Sequence, residues 1–400
     1  MPYLISVIIP TYNCEKYIRE CLDSIVNQTL GINNIEVIVV DDASTDNTYE
    51  IAKEYESQYP SFKVLRHDTN KGCGPGRNTG LEHVTTDYVT YMDGDDYISS
   101  NAYERALEIF EQDKEVDLVI YKWEEFDEKG LWNKKEISKE LLREDKIITN
   151  IKDYPEIIFA NYAYIKVYHK RLFKYLKFPP RTYQDVCPSA RVMINAKKIY
   201  VAGDITVYYR QYHFSASKDV SCQNYLNLLI ASKQVIDLRD KYPEFYDLLS
   251  FLALKIAYWP INHICNSPYF TLDSGECVYK KLKDYPQYFS PEIIDKYQYN
   301  FPNYLQASPE AMWDIEKLDY CEYLIKHRYQ KDIKNLKQDI HLKNQEIINL
   351  KHELNLKDKE IRYLKKENLK KDKKSKEVLN SNSWKITKPL RKIKRMINKF

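Results

Sequence analysis

Asp93-Gly94-Asp95-Asp96 crowds three carboxylates into one turn, directly after the run Val89-Thr90-Tyr91-Met92. Like charges this close repel, and burial sharpens the repulsion. A divalent cation would offset them. Carboxylate-rich oxygen sites suit Mg²⁺ or Mn²⁺, which often bridge to substrate phosphates. The bland alternative is a solvated Asp-Gly-Asp turn. Polar residues also follow two other apolar runs: Thr11, Tyr12 and Asn13 after Leu4 to Ile9, and Asp41 and Asp42 after Ile35 to Val40. The glycine-rich stretch from Gly72 to Gly80 lets backbone approach a ligand, with Arg77 supplying a fork of donors. Further on, Asp185 precedes an apolar run. It can serve as a general base that takes a proton from an attacking hydroxyl, or as a helix N-cap.

These side chains need elements to position them. Leu4–Ile9, Ile35–Val40, Lys63–Arg66, 88–92 and Asp117–Tyr121 read as strands, the first two as continuous apolar runs of the buried kind. Glu15–Thr29, a segment capped by Asp46 and ending near Tyr59, a segment ending near His83, and Asn101–Asp113 read as helices. Strands alternating with helices predict an α/β fold with a mostly parallel, doubly wound sheet. In such sheets ligands sit beyond the carboxyl ends of the strands, where Thr11, Asp41 and Asp93 lie. The turn Pro10-Thr11-Tyr12-Asn13 holds no glycine, so the G-x-G-x-x-G dinucleotide fingerprint and the phosphate loop of nucleotide triphosphatases are both absent.

The chain has 400 residues and a formal net charge of +3, with 61 Lys/Arg and 58 Asp/Glu. Residues 371–400 hold 11 of the cations and 2 of the acids, a net of +9, which leaves −6 on residues 1–370. A basic tail on a mildly acidic body predicts an anionic partner surface. The eight cysteines form no C-x-x-C pair, against a zinc ribbon or disulfide framework and for a reducing compartment. The first residues lead straight into a strand pattern, without a signal-peptide pattern. No run approaches the ~18 apolar residues of a spanning helix. A soluble or peripheral protein is expected.

The motifs Ser6-Val7-Ile8-Ile9-Pro10-Thr11-Tyr12-Asn13, Val39-Val40-Asp41-Asp42-Ala43-Ser44-Thr45-Asp46, Gly76-Arg77-Asn78-Thr79-Gly80 and Met92-Asp93-Gly94-Asp95-Asp96 together resemble the inverting family-two glycosyltransferases of GT-A fold. They cover roughly the first 125 residues, in the family's order and spacing. The resemblance implies a nucleotide-sugar donor, usually a UDP-sugar. It implies that Pro10, Thr11, Tyr12 and Asp41 line the uracil and ribose, and that Asn70 and Arg77 close over the base. Asp93 would reach the ribose or sugar, and Asp95 would hold Mn²⁺ or Mg²⁺. Tyr183-Gln184-Asp185-Val186 sits where the family places its base, with Gln184 replacing the usual Glu. The segment Val207–Ser215 resembles the one that closes over the donor; Arg210 would touch the diphosphate and His213 the metal. The Q-x-x-R-W signature of processive synthases is absent, which favours one transfer per encounter.

Residues 221–330 read as a helical domain after a catalytic domain at 1–220, itself split into donor (1–125) and acceptor (126–220) halves. From 331 to 370 Ile333, Ile340, Ile347, Leu354 and Ile361 recur every seven residues, with Leu336, Leu350 and Leu364 in the second seam and Lys343 and Lys357 interrupting it. That repeat predicts a left-handed coiled coil and a homo-oligomer. Asp339, Glu346, Glu353, Glu360 and Glu367 flank the seam, and Lys337, Lys351 and Lys365 can face such acids across a parallel pair. In the basic tail, 371–400, Leu390, Ile393, Met396, Ile397 and Phe400 share a helical face, which suits an anionic lipid surface better than nucleic acid. The tail's Ser383-Trp384-Lys385-Ile386-Thr387 stretch resembles tails of bacterial surface-polysaccharide glycosyltransferases. The expectation is a metal-dependent inverting glycosyltransferase, cytoplasmic and peripheral at the inner membrane face. It would serve a surface-glycan or teichoic-acid acceptor. The rivals are a nucleotidyltransferase and a non-enzymatic oligomeric scaffold.

Overall fold

The computed structural model describes residues 2–132, 140–180, 183–211, 221–266, 286–290, 292–293 and 315–381, with 385, 387, 391–392 and 394–395. The chain divides into two compact units, Met1–Ile325 and Lys326–Phe400.

In the first unit ten strands form one sheet with the principal order β3-β2-β1-β4-β9-β6-β10-β5. Its first side is built from β1 (Ile5–Thr11), β2 (Ile35–Asp41), β3 (Phe62–Arg66) and β4 (Tyr88–Tyr91), all paired in parallel. Every residue of β1 and β2 is buried. Helices α1 (Ile18–Val26), α2 (Thr48–Gln58) and α3 (Cys73–Leu81) make the crossovers. Asp46 helps start α2, accepting from the Thr48 amide at 3.0 Å and its hydroxyl at 2.6 Å.

After β4 the sheet changes sense. The short β5 is Tyr97–Ile98, α4 is Ala102–Gln112, and β6 runs Leu118–Asp127, six residues past the expected end. It is followed by β7 (Gly130–Trp132), β8 (Lys146–Ile148), β9 (Lys166–His169), α5 (Val186–Asn195) and β10 (Ile199–Arg210). Strand β9 is antiparallel to both β4 and β6, while β6 and β10 are parallel. The expected mostly parallel sheet is therefore mixed, with the parallel layer confined to the first four strands and the β6–β10 pair. A 3₁₀ turn, Ala163–Ile165, leads directly into β9.

Helices α6 (Cys222–Lys241) and α7 (Tyr246–Asn266) follow, and α6 packs on α5. The second unit is dominated by the part of α8 from Lys326 onward, α8 being a 66-residue helix, Ile315–Asn380. The apolar seam residues described on it, Ile347, Leu350, Leu354, Ile361 and Leu364, are 48–67% exposed in the single chain.

Candidate active site

Strands β1 and β2 pair residue for residue up to Thr11 and Asp41, so their carboxyl ends are level. The turns beyond interlock. Asn13 and Ala43 take left-handed φ angles of 49° and 60°, a region Asn tolerates better than most residues. The Asn13 amide donates to Ser44 Oγ at 3.0 Å, and Asn13 Oδ1 accepts from the Thr45 amide at 2.8 Å. Asp41 is fully buried. Its Oδ2 meets Arg66 Nε at 3.1 Å and the Ser44 amide at 3.2 Å, while its Oδ1 has no hydrogen-bond partner. A buried carboxylate oxygen left bare is costly, so this atom is a vacant acceptor for a ligand's N–H or O–H. Pro10 and Thr11 are buried next to it, and the Tyr12 ring is exposed. Asn70 is exposed, and its Oδ1 accepts from the Gly72 amide at 3.1 Å.

Asp42, by contrast, organises protein. It accepts from the Lys71 and Gly72 amides and meets His67 Nδ1 at 2.7 Å, while His67 Nε2 reaches Thr79 Oγ1 at 3.0 Å. This network fixes the loop that leads into α3.

The acidic turn after β4 packs onto the end of β1. A Cβ on Gly94 would come within 2.9 Å of Thr11 Cγ2 and 3.0 Å of Cys14 Sγ, so any side chain there would push the turn away. Arg77, 1% exposed, reaches across from α3 and bonds Asp93 Oδ1 through Nη2 at 2.7 Å. Its guanidinium lies 5.9 Å from the ring centre of Tyr91 and 5.5 Å from that of Phe178. Asp96 is buried, and burial first, then Asp95 and Asp93, raises its proton affinity well above the usual carboxylate range. The Arg210 amide donates to its Oδ1 at 2.8 Å, whereas its Oδ2 has no partner. The Arg210 guanidinium donates from Nε to the Asp95 carbonyl at 2.9 Å, pairs with Glu20, and lies over the rings of Tyr17 and Phe126. Arg210 thus holds the acidic turn by its main chain.

Among the described residues no group of three or more His, Cys, Asp or Glu is arranged to hold a metal. The expected ligand His213 lies outside the described residues. The carboxylates present still fit a hard cation of the kind that takes one or two carboxylates and completes its shell with substrate phosphates and water.

Asp185 occupies the N-cap position of α5 but makes no capping bond. Its Oδ2 instead accepts from the Ala163 amide at 3.3 Å. Burial raises its proton affinity; Arg77 opposes that and Asp93 adds to it. Arg77 therefore acts on both carboxylates at once. Two residues earlier Tyr183 has φ 57°, a strained conformation for a bulky side chain, and its hydroxyl accepts from Asn224 Nδ2 of α6 at 3.1 Å. The segment before Asp185 is also clamped to α3. Asn78 bonds both main-chain groups of Phe178, at 2.7 and 2.9 Å, and a Cβ on Gly74 would lie 2.2 Å from the Pro179 carbonyl oxygen.

Two features of the site escape motif reasoning. Lys166 is fully buried on β9, and its ammonium donates to the carbonyls of Ala160 and Tyr162, in the turn whose next amide serves Asp185. Desolvation lowers its pKa to about 7, against a raising effect from Asp185. The signal was one lysine inside the apolar run Ile165-Lys166-Val167-Tyr168. The second is a file of aromatics, Trp123, Tyr162, Tyr164 and Tyr209, with neighbouring ring centres 5.2–5.7 Å apart.

A mixed sheet whose parallel side carries a vacant buried acceptor at one strand end and an acidic turn at the next, with a half-buried carboxylate near them, has the architecture of a GT-A-type domain. The comparisons agree. Glycosyl transferase family 2 matches residues 6–176. Glycosyltransferase GlyG of Streptococcus pneumoniae is 32% identical over 219 residues, covering 53% of this chain and 72% of that protein. The chain belongs to glycosyl transferase family 2. It is also similar to the poly(ribitol-phosphate) beta-N-acetylglucosaminyltransferase TarS of Staphylococcus aureus, 27% identical over 348 residues, covering 82% of this chain and 54% of TarS. The crystal structure of S. aureus TarS 1-349 in complex with UDP-GlcNAc superposes with a TM-score of 0.63 at 23% identity, covering 82% of this chain and 92% of that one, a likeness of fold. The chain spans about half, or less, of the length of several curated relatives it matches.

Proposed function

We propose that this chain moves one sugar from a UDP-sugar to a hydroxyl of a teichoic-acid or other surface-glycan acceptor, with inversion at the anomeric carbon. The observation that carries the reading is Asp185: half-buried, released from capping its own helix, and influenced, with the acidic turn, by Arg77. Asp41 Oδ1 would accept from the uracil or ribose, with Pro10, Thr11, Tyr12 and Asn70 around them. Arg77 fixes Asp93 for the ribose or sugar. Asp185 takes the proton from the acceptor hydroxyl while that oxygen attacks from the face opposite the departing UDP. A carboxylate with raised proton affinity is a stronger base than an ordinary one, and a positioned base contributes ~10²–10⁴-fold. Mn²⁺ or Mg²⁺ at Asp95, with His213 as a second ligand, would neutralise charge developing on the diphosphate. Arg210 keeps that turn in register from behind.

The names of the relatives support the acceptor class, since TarS is named for poly(ribitol-phosphate). The half-exposed seam of α8 supports a homo-oligomer. Among the described residues no helix is long and apolar enough to cross a membrane, and the cationic, apolar-faced tail supports docking on an anionic inner-membrane surface. The test is a panel of UDP-sugars with Mn²⁺ and a poly(ribitol phosphate) acceptor. One donor should release UDP and label the polymer. Failure of every UDP-sugar to bind or turn over would leave the oligomeric scaffold as the better account.

A further inference from the structure

A second recess lies next to the segment that carries Asp185. It is a cavity of about 800 Å³ lined by residues on both sides of Asp185, from Phe178 to Pro180 and at Cys187, Pro188 and Arg191, and closed by the last two turns of α6. Four cations face it: Lys174, Lys177, Arg191 and Lys241. Its one acid, Asp237, is paired with Lys233 at 3.1 Å. Among the described residues none of the four cations meets a carboxylate at ion-pair distance. Lys174 lies over the Tyr175 ring at 4.9 Å, Lys241 over Tyr242 at 5.6 Å, and Arg191 donates to the Cys187 sulfur at 3.7 Å. Four uncompensated cations around one space repel one another. They stand out on a body that is net negative over residues 1–370.

We infer that this cavity binds phosphodiester groups of the acceptor chain, on units next to the one receiving the sugar. The inference rests on the proposed transfer to a phosphate-linked acceptor and deepens it. Arg suits phosphate because its planar fork donates two parallel bonds, and the lysines add point charges around it. Phe178 and Leu238 offer apolar wall for the carbon skeleton between phosphates. Arg191 lies six residues after Asp185 on the same helix, about 9 Å along its axis at 1.5 Å per residue. An acceptor held at Arg191 therefore keeps a neighbouring unit within reach of the base. The cavity volume lies within the range usual for ligand sites, roughly 300–1,000 Å³.

The test is equilibrium binding of an end-labelled poly(ribitol phosphate) chain to the full chain, alongside release of UDP from the donor. Lys174→Glu with Arg191→Glu should weaken polymer binding about tenfold or more and flatten its salt dependence, while UDP-sugar affinity and donor hydrolysis stay unchanged. Arg191→Gln, a milder change, should weaken binding in the same direction if the double variant folds poorly. Anionic vesicles should bind both proteins equally; loss of vesicle binding in the variant would reassign the cavity to lipid headgroups and overturn the inference. Unchanged polymer binding in both variants would also overturn it. If the wild-type chain binds polymer through these residues yet turns over no donor, the transferase reading fails and the phosphodiester site stands.

Discussion

The amide of Ala163 donates to Oδ2 of Asp185 at 3.3 Å, so a carboxylate at the first turn of one helix is held by a turn 22 residues earlier. An N-cap aspartate normally turns its oxygens onto its own helix's amides. Here the helix start gives up that bond, and the carboxylate reaches instead to the 3₁₀ turn that precedes β9.

Replacing that carboxylate separates catalysis from donor binding. Asp185→Asn keeps the shape and the bond from Ala163 but removes the proposed base. Transfer should fall by ~10²–10⁴-fold, while calorimetric affinity for the UDP-sugar stays within about twofold. Loss of donor affinity instead would assign Asp185 to holding the nucleotide.

Lys166 should report on the same turn from below. Lys166→Met removes the ammonium that ties the Ala160 and Tyr162 carbonyls. The turnover rate should drop about tenfold with donor KM unchanged. Below pH 7 the lost cation should also move the acid limb of the rate profile to higher pH, because Asp185 then binds its proton more tightly. The stability difference has a defined sign. Wild-type Lys166 titrates near 7 when folded and near 10.5 when unfolded, so the unfolded chain binds more protons between those values. Wild-type stability should therefore rise relative to the variant across that window, by at most about 1.4 kcal/mol per pH unit. Denaturation at pH 7.5 and 9.5 reads the difference, and a flat difference would remove Lys166 from this role.

Asp41 tests the nucleoside end. Asp41→Ala deletes the vacant Oδ1 and should weaken UDP binding about tenfold or more, with UDP itself as the probe. A normal UDP affinity would place the nucleoside elsewhere.

Asp95 tests the cation. Chelation should abolish transfer, and added Mn²⁺ or Mg²⁺ should restore it. Asp95→Ala should raise the metal concentration needed by about tenfold or more, in an activity titration. Full activity in chelator would exclude a dissociable metal.

The helix α8 tests assembly. Ile347→Glu with Leu354→Glu places charge on two seam residues that are 48% and 67% exposed in the single chain. Sedimentation should fall from an oligomer to the 47.8 kDa monomer. Donor hydrolysis should continue unchanged, since neither residue belongs to the transfer site. A wild-type protein that already sediments as a monomer would refute the coiled coil.

The donor side was readable because each of its signals is local. Strands buried on both faces appear as unbroken apolar runs, and β1 and β2 end within two residues of the expected points. The acceptor side hides its elements. Strand β10 is interrupted at Gly203-Asp204-Ile205, where its register with β6 shifts and where a Cβ on Gly203 would lie 2.4 Å from the Arg143 carbonyl oxygen. Such a step breaks the alternating pattern that marks a strand. For Asp185 the same residue type satisfies two patterns, cap and base, and only tertiary structure shows that it makes no capping bond and accepts from a distant amide instead. Lys166 was hidden for a related reason: a lysine's ordinary place is solvent, and only tertiary packing shows its ammonium enclosed.

Strand β4 pairs with β1 in parallel on one edge and with β9 in antiparallel sense on the other. It is the border strand of two differently built territories, and Thr90 links them with a single hydroxyl bond to the Lys166 carbonyl at 2.8 Å. The territory proposed to hold the nucleotide can therefore stay constant while the other is rebuilt. A change of acceptor on this scaffold would be a retooling confined to one bank of a fixed boundary.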